Sequence, residues 1–302
     1  MHFFGGTGDG IQRWRVADGQ EVGKQTGMNM SAISVSRDGM WVVCGFLGGA
    51  NVWDAELQRK VVEVSEDRKF VDAVDVSPQS TRFATVTGSG TSVWSITTGE
   101  RLVGPLKHGS DVSRGIKFSL DGGRIAAACG DSIHIFDSYN GHQLITIENP
   151  MPDNVAITPI VWPSGTRLFA MSEGGKIKSF DTFTGSQLAE WQIHSFDSRD
   201  AMSIALSTNS RFIASSAGRS VSFWDTSTHT QLGSILEDVE NIRSIALSPN
   251  GTHLATGGAS NKTLTIWNLS DILPESYLPI TVRTTFPMLR ATNNIRLSHH
   301  LI

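Results

Sequence analysis

The feature that most constrains this chain is a repeat. An aromatic residue closes a short apolar alternation at Trp14, Trp53, Trp94, Phe136, Phe180, Trp224 and Trp267, at spacings of 39, 41, 42, 44, 44 and 43 residues. Asp54, Asp137, Asp181 and Asp225 directly follow four of these marks. An upstream segment is spelled identically twice, as Ser203-Ile204-Ala205-Leu206-Ser207 and Ser244-Ile245-Ala246-Leu247-Ser248. A fixed period of this length means one supersecondary unit copied along the chain, each copy unable to bury its apolar surface alone.

Within one unit the hydrophobic period is 2. In Ala32-Ile33-Ser34-Val35-Ser36 the two aliphatic residues share a face and the small residues take the other, which predicts a strand. Turn pairs follow at Asp38-Gly39, Asp121-Gly122, Ser164-Gly165 and Asn250-Gly251. A second strand comes next, as in Arg82-Phe83-Ala84-Thr85-Val86, then a Gly-rich turn and a third strand such as Val221-Ser222-Phe223-Trp224-Asp225. A fourth leaves from Thr98-Gly99, Asn140-Gly141 or Thr184-Gly185. Four antiparallel strands per period make a sheet with two apolar faces, and such sheets must stack until a ring closes. The expected fold is therefore all-β, a seven-bladed β-propeller of four-stranded antiparallel blades.

The bulk composition agrees. Hydrophobic residues at 39% suffice for a core, while charged residues at 18% are scarce and Gly, Ser and Thr fill the gap, a mix for short strands and tight turns rather than for a helix bundle.

The Ser248-to-Gly251 turn (Ser-Pro-Asn-Gly) and the Trp-Asp pairs at strand ends resemble the WD-repeat family, over Phe3 to about Leu269. That resemblance implies a protein-binding scaffold. It also implies a Gly-His pair before each first strand and an Asp in the turn before each third, joined to Ser/Thr and Trp in a buried hydrogen-bonded network. Here Lys107-His108 precedes one unit and His194 another, Glu66-Asp67 and Glu237-Asp238 stand where the pair belongs elsewhere, and Asp9 and Asp131 are the best turn aspartates. The expectation is a network mostly missing, with apolar contact holding the blades.

The repeats assign residues 1–270 to the propeller and 271–302 to a C-terminal segment. The first unit starts inside its second strand, so the first blade is incomplete at the N-terminus unless the tail supplies a strand. Asn294-Ile295-Arg296-Leu297-Ser298 alternates suitably to close the ring, with Tyr277 to Val282 as the last blade's fourth strand. Pro274, Pro279 and Pro287 make the tail a poor central strand, and the alternative is a missing strand lying outside this chain.

Chemistry-bearing motifs are absent from the pattern. Gly6-Thr7-Gly8-Asp9-Gly10 and Gly88-Ser89-Gly90 fall between second and third strands with no helix after them, so they are hairpin glycines rather than phosphate loops. Cys44 and Cys129 occupy the same repeat position and read as small buried residues. The histidines show no metal-ligand spacing, and no Gly-x-Ser-x-Gly elbow is present. The expectation is no catalysis, no cofactor and no metal. Quinone-dependent propeller enzymes share only the architecture.

A net charge of −4 lacks the basic footprint of a nucleic-acid binder. No apolar run reaches signal-peptide or membrane-spanning length, so an intracellular protein is expected, cytoplasmic ahead of nuclear. The expected partners are other proteins, with no nucleic acid and no membrane, around a monomeric propeller within a complex. Family logic puts the exposed contacts just before each first strand, at Asn29, Phe70, Asp72, Arg114, Asp200, Asn241 and Arg243. Phe70 is the candidate aromatic anchor, with Asp72, Arg114, Asp200, Asn241 and Arg243 as a mixed-sign polar surround. The rival reading is a C-terminal sensor module of a larger signalling protein.

Overall fold

The structure, a computed structural model, describes residues 2–7, 10–26, 30–109, 113–148, 157–172, 175–193, 202–258, 264–278, 289–291 and 297–301. The chain divides into two compact units: a split unit, residues 1–27 with 193–302, and a continuous unit, residues 28–192. The split unit opens with β1 (His2–Thr7), β2 (Gly10–Arg15) and β3 (Glu21–Thr26). The continuous unit contains β4 (Met30–Val35), β5 (Trp41–Asp54), β6 (Arg59–Val76), β7 (Arg82–Thr87), β8 (Gly90–Ser95), β9 (Arg101–Leu106), β10 (Ser113–Phe118), β11 (Arg124–Cys129), β12 (Ser132–Asp137), β13 (Gln143–Glu148), β14 (Ile157–Ser164), β15 (Arg167–Ser172), β16 (Lys176–Asp181) and β17 (Gln187–Gln192). The split unit resumes with β18 (Met202–Leu206), β19 (Phe212–Ala217), β20 (Ser220–Asp225), β21 (Gln231–Glu237), β22 (Ile242–Leu247), β23 (His253–Gly258), β24 (Leu264–Asn268), β25 (Leu289–Ala291) and β26 (Leu297–Leu301).

The all-β expectation and the four-stranded antiparallel sheet both hold. Consecutive strands pair in the sheets β10 to β13, β14 to β17, β18 to β21 and β22 to β25. In the continuous unit β4 to β9 form one six-stranded sheet because β5 and β6 are long. The first half of β5 pairs with β4 and its second half with the first half of β6, and Gly48 at φ +96° marks the change of direction between them. The second half of β6 then pairs with β7.

In the split unit β26 pairs antiparallel with β1, giving the strand order β26-β1-β2-β3. The strand beside β24 is β25 at Leu289–Ala291, which corrects the expectation of a fourth strand from Tyr277 to Val282. Glu275–Tyr277 instead form a 3-10 turn behind Pro274, whose missing N–H and fixed φ suit a turn start better than a ladder. Residues 279–288 and 292–296 lie outside the described residues, Pro279, Pro287 and Asn294 among them.

Turn chemistry repeats as read. The Ser119 hydroxyl donates to Asp121 Oδ1 at 2.5 Å, Gly123 N donates to the same oxygen at 2.9 Å, and Arg124 N donates to Ser119 Oγ at 2.9 Å. Gly122 sits at φ +70°, a conformation that a side chain would strain. Ser36 with Asp38 and Ser248 with Asn250 build the same turn. These hydrogen bonds hold the Asp121 carboxyl below its ordinary range, the Ser119 hydroxyl contributing most and partial burial opposing.

Cores form between successive sheets. Val86 and Val93 pack with Ile116, Ile125 and Phe136, and Ala126 and Ile133 pack with Ile160, Trp162 and Leu168. In the split unit Phe212 and Val221 meet Leu254 and Trp267, while Phe3 and Trp14 meet Ala255 and Leu264. Cys44 and Cys129 are free thiols buried in this packing, and burial pushes the Cys129 thiol up to about 12.

A polar device also joins sheets. Arg82, at the start of β7, donates to the carbonyls of Ser138 at 2.9 Å and Gly122 at 2.8 Å, and lies 4.1 Å from the ring centroid of Tyr139. Arg124, at the start of β11, reaches the Thr182 carbonyl and the Phe183 ring in the same way, and Arg211 reaches Ser276 and the Tyr277 ring. Each arginine satisfies turn carbonyls of the following sheet and stacks on its turn aromatic.

Two outcomes are expected. Arg82→Met, which keeps the stem but loses two charge-assisted hydrogen bonds and the stacking, lowers stability by about 2–3 kcal/mol, read from the chemical denaturation midpoint. Asp121→Asn is less stable than the parent at neutral pH. A carboxyl whose folded pKa is depressed contributes stability above its ordinary value of 3.8 and loses it as pH falls through the lowered one. The gap between the two proteins therefore closes on acidification below about pH 4, measurable by parallel urea titrations.

Candidate docking site

The residues that hold a connection between two sheets decide what that connection can display. In the continuous unit the connection is the middle of β6. Ser65 pairs with Gly49 and Phe70 with Leu47, so residues 66–69 face the single residue Gly48 and stand out as a bulge. Arg68 within it has φ 47°, the left-handed turn that lets the bulge fit. Gly49 beneath it has no room for a Cβ, which would meet the Val64 carbonyl oxygen.

The bulge is pinned from below. Glu66 is buried, and its carboxylate accepts from the Thr85 hydroxyl at 2.8 Å and from Arg101 at 3.2 Å. The same Thr85 oxygen accepts the indole N–H of Trp94 at 2.9 Å, and the Arg101 guanidinium lies 4.5 Å from the Trp94 ring centroid. A buried carboxylate with a cation and a hydroxyl donor is a satisfied group, and it fixes the backbone that carries it.

The split unit repeats the device at Asp238, just after β21. Trp267 Nε1 donates to Thr256 Oγ1 at 3.1 Å, Thr256 donates to Asp238 Oδ2 at 2.5 Å, and Thr265 donates to the other carboxylate oxygen at 3.4 Å. Val239 N caps Asp238 at 2.7 Å. These two networks are exceptions within a pattern that is otherwise incomplete among the described residues: an acid occupies the place of the histidine, and Thr and Trp play the parts that the family resemblance implies. Trp224 donates to Ser215 at 3.1 Å, and the segment holding His194 that precedes β18 lies outside the described residues. Trp14 and Trp53 have no indole partner among the described residues.

On these pinned connections stand several of the sequence-derived candidates. Phe70 is 50% exposed, and Leu47, its partner across the ladder, is 54% exposed. Leu47 was not singled out by sequence reasoning, because only the register brings it beside Phe70. Asp72 is half-buried between buried Val71 and Ala73. Arg114 lies in β10, its side chain outside the described residues. In the split unit Asn241 is exposed immediately before β22, and Arg243 is exposed between buried Ile242 and Ser244. Asn29 and Asp200 lie outside the described residues. The structure places Phe70 and Asp72 on one strand, and Arg243 on another that begins directly after Asn241.

Among the described residues no group of three His, Cys, Asp or Glu side chains is placed to hold a metal ion. No helix among them is long and apolar enough to cross a membrane. His108 is buried with its ring 6.2 Å from that of His134, whose pKa burial lowers.

Thr85→Val leaves both the Trp94 indole and the Glu66 carboxylate one partner short. A loss of about 1–3 kcal/mol is expected, with faster amide exchange at residues 66–70 than at β11.

Comparison with known proteins places these observations. The family described as WD domain, G-beta repeat, matches residues 185–225 and 230–268. A comparison with curated protein sequences finds no match. Among solved structures, the chain is similar to the β-propeller domain of Myceliophteria thermophila Cps50 (Swd1), with a TM-score of 0.68 and 18% identity over 86% of this chain and 94% of that one. It is also similar to Kuenenia stuttgartiensis hydrazine synthase, with a TM-score of 0.72 and 13% identity over 86% of this chain and 90% of that one. At these identities the likeness is one of fold: the chain is a β-propeller.

Proposed function

Since the chain carries WD40 repeats on a β-propeller fold, a fold that generally serves as a protein-interaction scaffold, we propose that it is a non-catalytic docking protein. Partners bind on the connections that lead from the fourth strand of one sheet to the first strand of the next. The observation that carries this reading is Phe70, a half-exposed aromatic on a segment held by a buried carboxylate network directly beneath it. Anchors of this kind dominate interface energetics because a large rigid ring enters a partner's pocket at little entropic cost. On this reading Asp72 and Arg114 are the polar residues of the connections in the continuous unit, and Asp200, Asn241 and Arg243 those in the split unit. The reading requires no cofactor. The WD-repeat family is typically non-catalytic, and the likeness to hydrazine synthase at 13% identity carries no chemistry across.

Pull-down from cell extract tests the reading, with the parent beside a Phe70→Ala, Asn241→Ala, Arg243→Ala variant of unchanged circular dichroism. A partner retained by the parent and lost by the variant is the expected result. Equal recovery by both moves the docking surface elsewhere.

A further inference from the structure

Two Asn-Gly pairs stand in tight turns, Asn250-Gly251 between β22 and β23 and Asn140-Gly141 between β12 and β13. Both asparagines are exposed, and the glycines take φ +68° and +76°. An asparagine before glycine is prone to lose its side-chain amide, because the glycine nitrogen that attacks it has no side chain to shield it.

The two turns differ in their surroundings. A Cβ at Gly141 would meet Leu106 and Val103, each at 2.7 Å, so this turn is wedged against β9. At Gly251 no described atom beyond the chain neighbours lies within 4 Å of the same point. In both turns the attacking nitrogen is engaged: Gly141 N donates to the Asp137 carbonyl at 3.0 Å, and Gly251 N to the Ser248 carbonyl at 2.7 Å. It reacts only when that hydrogen bond opens, and the turn that is not wedged opens more readily.

The turns also differ in how they receive an acid. Asp38 and Asp121 hold the place of Asn250 in two other repeats. Ser248 donates to Asn250 Oδ1 at 2.7 Å, where Ser36 and Ser119 donate to those aspartates at 2.5 Å. Thr252 N donates at 3.3 Å, where Met40 N and Gly123 N donate at 2.9 Å. A carboxylate at position 250 therefore enters a turn built for one, with charge-assisted bonds in place of neutral ones. Asn140 has no acidic counterpart at Thr98 or Thr184, and its own N–H donates to Asp137 Oδ1 at 3.1 Å. A carboxylate there adds a second negative charge beside Asp137.

We infer that Asn250 is a conditional deamidation site: its amide is kept while the turn is closed and lost when the turn opens, and the aspartate formed is taken back into the fold. The reaction needs only water. Gly251 N attacks Asn250 Cγ, the side-chain nitrogen leaves as ammonia with the Gly251 proton, and a succinimide ring remains. Water then opens the ring. Attack at Cγ gives aspartate, while attack at the α-carbonyl carbon gives isoaspartate, whose backbone runs through Cγ and displaces the acceptor that Ser248 and Thr252 use. Opening of the β22–β23 turn is thereby recorded in covalent form.

The full chain is incubated in mildly alkaline buffer, folded and in urea. Conversion at both asparagines is followed by peptide mapping with mass spectrometry, and electron-transfer fragmentation separates aspartate from isoaspartate. Asn250→Asp and Asn140→Asp are compared with the parent by urea midpoint.

In urea the two sites are expected to convert at similar rates. In the folded chain Asn250 converts about tenfold or more slowly than in urea, and Asn140 more slowly again. The midpoint of Asn250→Asp lies at or above the parent's, and that of Asn140→Asp below it. Failure of Asn140→Asp to fold agrees with this, since the rates are read on the parent alone. Folded-state conversion at Asn140 as fast as at Asn250, or at Asn250 as fast as in urea, overturns the inference. So does an Asn250 that stays intact in the folded chain, or an Asn250→Asp less stable than the parent.

Discussion

Strands buried on both faces impose the first constraint here. Every described residue of β7 and β19 is buried, so each sheet must receive apolar side chains from a neighbour on either side. The alternation of large and small residues makes this possible: Phe83 beside Ala84 and Thr85, Phe212 and Ile213 beside Ala214 and Ser215, so that aliphatic groups of the next sheet enter over the small positions. Charge enters such a sheet only in partnership, as where buried Lys178 of β16 meets Glu190 of β17 at 3.3 Å and buried Asp75 of β6 meets Lys117 of β10 at 2.7 Å. Further ionic and hydrogen-bonding groups gather where strands end, in the aspartate-capped turns, the arginine stems that lean onto the next sheet, and the connections between sheets.

The connections resolve a competition between two requirements. A segment that displays exposed groups gains nothing from its own packing and would wander unless something ties it down. Glu66 and Asp238 supply the tie by placing a carboxylate under the segment, and the low-dielectric surroundings make an unsatisfied carboxylate so unfavourable that its donors must be present. Thr85 and Thr256 have the right chemistry for the middle position, since one hydroxyl accepts from an indole and donates to an acid. At the marks where Phe136 and Phe180 replace tryptophan there is no indole N–H to satisfy, and apolar contact suffices.

Strand existence, turn type and the identity of the buried marks were legible in the sequence because each depends on residues close together: a period of 2, a Ser-x-Asp-Gly turn, an aromatic at the strand end. The acid-for-histidine networks were not, although Glu66 and Asp238 were noticed in the right places. Their role depends on Thr85 and Thr256 lying opposite them, a fact of register about 18 residues away. Leu47 was missed for the same reason, since its exposure beside Phe70 follows from a bulge that the local pattern does not announce. The last fourth strand was misplaced because Pro274 and Tyr277 lie where a strand would start by repeat length, whereas the backbone makes a 3-10 turn whose Tyr277 hydroxyl donates to Asp225 at 2.5 Å.

The placement of charge at the β6 bulge follows from the same logic as its anchoring. At Glu66 the inward carboxylate is met by a cation, Arg101 of β9, rather than by one from the bulge itself. The residues that follow, Arg68, Lys69 and Phe70, are exposed, so the segment is anchored by one residue and displayed by others. A backbone fixed in advance by the buried Glu66 network removes an ordering cost from any binding that uses Phe70.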